Sequence, residues 1–175
     1  MTDPGARWLA DHESALVALR RELHAHPELG RREHRTTERL ADRLKAHGLT
    51  PEVLPGGSGL WADVGDGAGP TVMLRADLDA LPLPDAKDVA YRSTVPGVCH
   101  ACGHDVHTVA VLGAGLALAD LDAAERLPGR VRLVFQPAEE LMPGGSLDVI
   151  AAGALAPVSA AFALHCDPTL DVGQV

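Results

Sequence analysis

Leu16, Leu19 and Leu23 recur at steps of three and four through the otherwise polar segment Asp11 to His26, the spacing of one helix face. Pro27 ends that element. Leu40 and Leu44 mark a second helix over Thr36 to His47, and Gly48 sits where a left-handed C-terminal cap belongs. Short strands are predicted over Pro51 to Leu54 and Gly59 to Val64, on either side of the Gly56-Gly57 turn, and residues 65–70 form a tight turn. Thr71 to Ala76 follows as a strand whose unbroken Val72-Met73-Leu74 run suits burial on both faces. Residues 82–97, punctuated by Pro82, Pro84 and Pro96, are irregular. A third helix begins near Asp105 and carries Val109, Leu112, Leu116 and Ala119 on one stripe. Gly113 and Gly115 weaken it intrinsically but permit close packing against a sheet. Val131 to Phe135 reads as a buried strand, Ser146 to Ala152 as a short helix ended by Gly153, and Ala160 to Leu164 as a last strand. Strands alternating with helices argue for an α/β layered domain, with helices flanking a largely parallel sheet.

The length of 175 residues suits one domain or part of a larger one. A hydrophobic share of 46% and a charged share of 22% lie near the globular average, which argues against wholesale disorder. No apolar run approaches the roughly 18 residues of a membrane helix. The start, Met1-Thr2-Asp3-Pro4, lacks the basic-then-apolar layout of a signal peptide, so the expectation is a cytoplasmic protein with no membrane partner. The net charge of -9 makes nucleic acid a poor partner, because phosphate binding needs a basic surface. Three Cys argue against a disulfide scaffold and allow a free or metal-bound thiol. Nine His are unusual in so short a chain, and His is a common metal ligand.

The chemistry collects in four clusters: Arg75 to Asp79, Cys99 to His107, Gln136 to Glu140, and His165 to Pro168. Three of them follow predicted strands, the end of an α/β sheet where ligands bind. Cys102 and His104 are separated only by Gly103; alternate residues of an extended segment face one side, so both can reach one metal. The competing reading is a buried Cys and a helix-capping His. Cys99-x-x-Cys102 lacks the second pair a zinc ribbon needs, and its His-crowded setting is a poor match to a thioredoxin-like redox pair. Glu139 and Glu140 either form a solvated loop or divide the work, one binding metal and the other taking a proton from water. His165 closes a strand as an inward-facing ligand, or is an ordinary core or surface histidine. Asp77 and Asp79 share one side, where one of them can orient a His; capping a turn is the alternative. His12, His34 and His47 fall on solvent-facing helical positions, and His24 and His26 close the first helix with no catalytic role.

In this order, Arg75-Ala76-Asp77-Leu78-Asp79-Ala80-Leu81-Pro82, His100-Ala101-Cys102-Gly103-His104-Asp105, Gln136-Pro137-Ala138-Glu139-Glu140 and His165 resemble the aminoacylase, hippurate hydrolase and indole-acetyl-amino-acid hydrolase family, the amidohydrolase branch of the dinuclear metallopeptidases. The segment Arg21 to Gly30 is similar to that family's N-terminal helix and turn. The resemblance implies that Cys102, His104, Glu140 and His165 are metal ligands for two divalent ions, with zinc, manganese, cobalt and nickel all compatible by donor type. It implies that Glu139 is the general base and that Asp79 supports a ligand from behind. The implied activity is hydrolysis of N-acyl amino acids or similar small amides, a carbon–nitrogen bond other than a peptide bond. Two departures stand out: Cys99 replaces the usual apolar residue such as Met, and Pro143 is unexpected after the Glu pair.

The same resemblance implies that residues 1–175 are the N-terminal part of a catalytic domain. The inserted lid and dimerisation domain, a further His ligand and the rest of the sheet have no counterpart in these residues. Homodimerisation belongs to the full-length family, and the oligomeric state of this chain is left open. Two rival readings follow: a catalytically silent remnant with weak metal binding, and a cysteine-nucleophile amidase using Cys102 with His104.

Overall fold

The computed structural model describes residues 3–125, 127–171 and 173. Helix α1 (Pro4–Ala25) starts about two turns before the expected Asp11, because Asp3 caps it by accepting the Gly5 amide at 3.0 Å and Pro4 suits a first helical position. Helix α2 is His34–Ala46, and Gly48 follows it at φ +76°. Strands β1 (Glu52–Val53), β2 (Leu60–Val64) and β3 (Thr71–Asp77) precede the long helix α3 (His104–Glu125). Then come β4 (Arg130–Gln136), α4 (Ser146–Ala151) and β5 (Val158–Ala163).

The five strands form one sheet in the order β1-β2-β4-β3-β5. It is mixed rather than largely parallel. Strand β3 runs parallel to β4 and β5, whereas β2 pairs antiparallel with both β1 and β4. The hydrophobic pattern reports which residues are covered but carries no strand direction, so this could not be read from it. The consequence for function lies in the parallel part. The C-terminal ends of β3, β4 and β5 emerge at one edge, with Asp77 paired to Gln136 in register.

Alternation along each strand divides the core between two faces. Leu60, Ala62, Val64, Ala76, Leu133 and Phe135 pack under α1, α2 and α3. Met73, Val134 and Trp61 face the other way, against Val149 of α4, Leu54 and Ala154. Arg132 crosses that second face, with its guanidinium 4.1 Å from the Trp61 ring centre and its Nε 2.7 Å from Asp63. By length and composition α3 does reach what a bilayer crossing needs over His104–Ala124, contrary to the expectation from apolar runs. In the fold, Val109, Val111, Leu112 and Leu116 serve the core beneath α1 and the sheet. Gly115 allows that close approach, since a methyl group there would run into Leu133.

Candidate metal centre

His104 is the hub of the sheet edge. It is 1% exposed, at the first position of α3. Gly103, at φ +86°, leads the chain into that helix, and donor atoms of Cys102 and His104 on either side of it lie within 4.8 Å of each other. Nδ1 of His104 lies 2.8 Å from the backbone oxygen of Asp79. A carbonyl only accepts, so Nδ1 carries the proton and Nε2 of the neutral ring presents a lone pair. Burial works against a charged His104, but the Asp79 and Asp77 carboxylates outweigh it and raise its pKa.

That Nε2 is buried and has no hydrogen-bond partner among the described residues. Around it stand Asp77 Oδ2 at 3.7 Å, Glu140 Oε1 at 3.8 Å and Glu139 Oε2 at 3.9 Å. Nearby, Cys102 Sγ approaches His165 Nε2 at 3.4 Å. Donor atoms of Cys102, His104 and His165 all lie within 4.8 Å of one another, and so do those of His104, Glu139 and Glu140. Ligand atoms bound at about 2.0–2.3 Å to one cation sit roughly 3–4 Å apart. The separations are therefore too long for hydrogen bonds to His104 and right for a shared ion. A concentration of carboxylates against an orphaned imidazole nitrogen is also what a bound cation would neutralise.

The placement of the expected residues differs in detail. Cys102 is half-buried, and Glu139, Glu140 and His165 are exposed. His165 stands beyond the end of β5, its Nδ1 2.9 Å from the backbone oxygen of Cys166. Asp79 is 1% exposed and does more than back a ligand. Its two carboxylate oxygens accept the amides of Glu139 at 3.0 Å and Glu140 at 2.9 Å, which fastens the acidic loop to β3's exit. Burial alone would raise its pKa, but the His104 contact and these two amides hold it below the ordinary value.

Three groups had no assigned role. His107, one helical turn after His104, is fully buried and bonds Asp77 at 2.7 Å and the Cys166 amide at 2.9 Å. The three-residue step from His104 was the available signal. Burial would raise Asp77, yet the His107 hydrogen bond and the His104 and Arg75 charges bring it down to about 2. Asp77, His104 and His107 also satisfy metal-ligand distances, but both nitrogens of His107 are already engaged. His24, expected only to end a helix, is fully buried, with Nδ1 2.7 Å from Asp105 and Nε2 3.2 Å from Asp85. Glu33 is also fully buried and reaches the acidic loop; no local pattern announces it.

The thiol of Cys102 is pushed up to about 11, first by burial and then by Glu140 and the neighbouring carboxylates. Without a cation beside it the thiol stays protonated at neutral pH. This weighs against the cysteine-nucleophile amidase.

A mixed α/β sheet with Cys, His and Glu donors gathered where parallel strands end defines a metallopeptidase-like domain. The chain belongs to peptidase family M20/M25/M40, which matches residues 73–175. It is 40% identical to an N-acetyl-L-cysteine deacetylase of Bacillus subtilis, covering 95% of this chain and 40% of the relative. A Rhodococcus jostii protein with a provisional glutamate–cysteine ligase name is 55% identical over 93% of this chain, but only 20% of that protein is covered. Among solved structures, a Bacillus subtilis dinuclear metal binding peptidase from the M20 family superposes with a TM-score of 0.87 at 38% identity, covering 94% of this chain and 46% of that one. The chain thus spans less than half the length of each of these three relatives.

Proposed function

We propose that Cys102, His104, Glu140 and His165 hold divalent cations, and that the protein to which they belong hydrolyses the amide of N-acyl amino acids or similar small amides. The observation that carries this reading is the orphaned Nε2 of buried His104, 3.8 Å from Glu140 Oε1 and grouped within 4.8 Å with donor atoms of Cys102 and His165. The deacetylase relative supports the substrate class, and the dinuclear peptidase supports two ions. Thiolate and imidazole suit zinc; the carboxylates also admit manganese, cobalt or nickel. Bound there, such ions supply polarisation of the amide carbonyl and acidification of the attacking water.

The residues of the chain do the rest. Asp79 fixes the His104 tautomer through its carbonyl and aims both acidic side chains through their amides. Glu139, the more open of the pair, takes the proton from the attacking water and delivers it to the departing amine. This stretch is then the N-terminal part of a catalytic domain.

The test is release of amino acid from N-acetyl or N-benzoyl substrates with added divalent metal. Glu139→Gln should abolish turnover while metal still binds; an unchanged rate would sink the mechanism. A second reading is favoured by the exposed face of β5, where Phe162 is 61% exposed: a catalytically silent remnant that binds metal weakly. One bound ion or none, with no turnover, supports it.

A further inference from the structure

Three consecutive peptide N–H groups end on two buried carboxylates. Asp79 takes those of Glu139 and Glu140, and Glu33 takes the one before them, with Oε1 2.7 Å from the Ala138 amide. Glu33 is fully buried, and its other oxygen is held by the Ser58 hydroxyl. Ala138, itself fully buried, has φ +49°, a left-handed backbone that is strained for a residue carrying a Cβ. It stands between the end of β4 and the acidic pair, whose carboxylates lie 3.9 Å (Glu139) and 3.8 Å (Glu140) from His104 Nε2. A left-handed alanine persists only where its surroundings over-determine it, and the Glu33 carboxylate is the side chain that bonds its amide.

We infer that Glu33 is a positioning residue for the acidic loop, acting through the Ala138 amide to set where Glu139 and Glu140 present their carboxylates. The inference rests on the reading of Glu140 as a metal ligand, and it deepens that reading by adding a residue from the N-terminus of α2. The side chain suits the task because its two oxygens accept separately, one from the Ala138 amide and one from the Ser58 hydroxyl. Glutamine matches it in shape, accepting from Ala138 and donating to Ser58. Alanine at position 33 leaves the Ala138 amide buried without a partner.

The experiment compares the chain with Glu33→Ala, Glu33→Gln, Ser58→Ala and Glu140→Ala by cobalt(II) titration and by hydrogen exchange of the peptide carrying residues 138–140. In Glu33→Ala, exchange there should rise by about tenfold, the equivalent of one lost hydrogen bond. Cobalt affinity should fall by about 10- to 100-fold. Glu33→Gln should restore both, and Ser58→Ala should leave cobalt affinity unchanged, since it spares the Ala138 bond. If Glu33→Ala does not fold, Glu33→Asp, one methylene shorter, takes its place with the same readouts. Unchanged exchange at 138–140 overturns the inference whether or not cobalt binds. So does unchanged cobalt affinity in a chain that Glu140→Ala weakens. If Glu140→Ala itself has no effect on cobalt, the metal reading fails, and the exchange data still decide the role of Glu33 in the loop.

Discussion

Nδ1 of His107 lies 2.7 Å from Oδ1 of Asp77, and both side chains are closed to solvent. The other ring nitrogen accepts the Cys166 amide, and an amide can only donate, so His107 is neutral with its proton on the Asp77 side. The relay joins β3, α3 and the segment after β5 that carries His165. His107→Phe should strip both partners and cost about 1.5–3 kcal/mol, the worth of a hydrogen bond to a charged group, in urea unfolding. Cobalt binding should weaken with it, because His165 loses its tether. A variant as stable as the parent would refute the relay.

Gly103 stands between two candidate ligands at φ +86°, and a methyl group there would lie 3.1 Å from Cys166 Sγ. Gly103→Ala should therefore destabilise by roughly 1–2 kcal/mol from backbone strain alone. It should also weaken metal binding by pulling Cys102 and His104 out of register. Thermal melting and metal titration read the two effects separately.

A different pressure acts on Gly115, where the helix meets Leu133, which is fully buried and has no room to give. Ordinary helix propensity predicts that Gly115→Ala stabilises by up to about 1 kcal/mol. Overpacking predicts a loss of about 1–3 kcal/mol. The structure favours the loss, and chemical denaturation gives the sign.

Asp85 accepts the amides of Ser93 at 2.9 Å and Lys87 at 3.1 Å and faces His24 at 3.2 Å. The Ser93 amide is the largest influence; with the Lys87 amide and the charges of Lys87 and His24 it overcomes burial and holds the carboxyl at about 2, below its ordinary 3.8. A depressed folded-state pKa adds stability above the unfolded value and loses it as pH falls through the folded one. Stability should thus decline between about pH 4 and pH 2. Asp85→Asn should flatten that part of the urea-midpoint profile, and an unaltered slope would show that Asp85 is not its source.

Much of the architecture was legible because its signals are local. The leucine steps of α1 and α2, the apolar runs of β3 and β4, and the glycines after α2 and α4 each act within a few residues. The start of α1 lies outside the leucine pattern, since Asp3 and Pro4 act through capping and carry no apolar stripe. Strand direction was also beyond reach. Two antiparallel pairings came from the path of the chain through turns, a matter the burial pattern does not encode.

The sequence by itself determined which donor groups exist and that they fall at strand exits and a helix start, because periodicity, glycine and proline act over short range. Tertiary structure alone decided which of them meet and in what state: the Asp79 carbonyl that selects the His104 tautomer 25 residues away, and the Glu33 carboxylate that reaches Ala138 across 105 residues. A hydrogen bond over such a span is made by the packing of whole elements, and no local run of residues carries its signature.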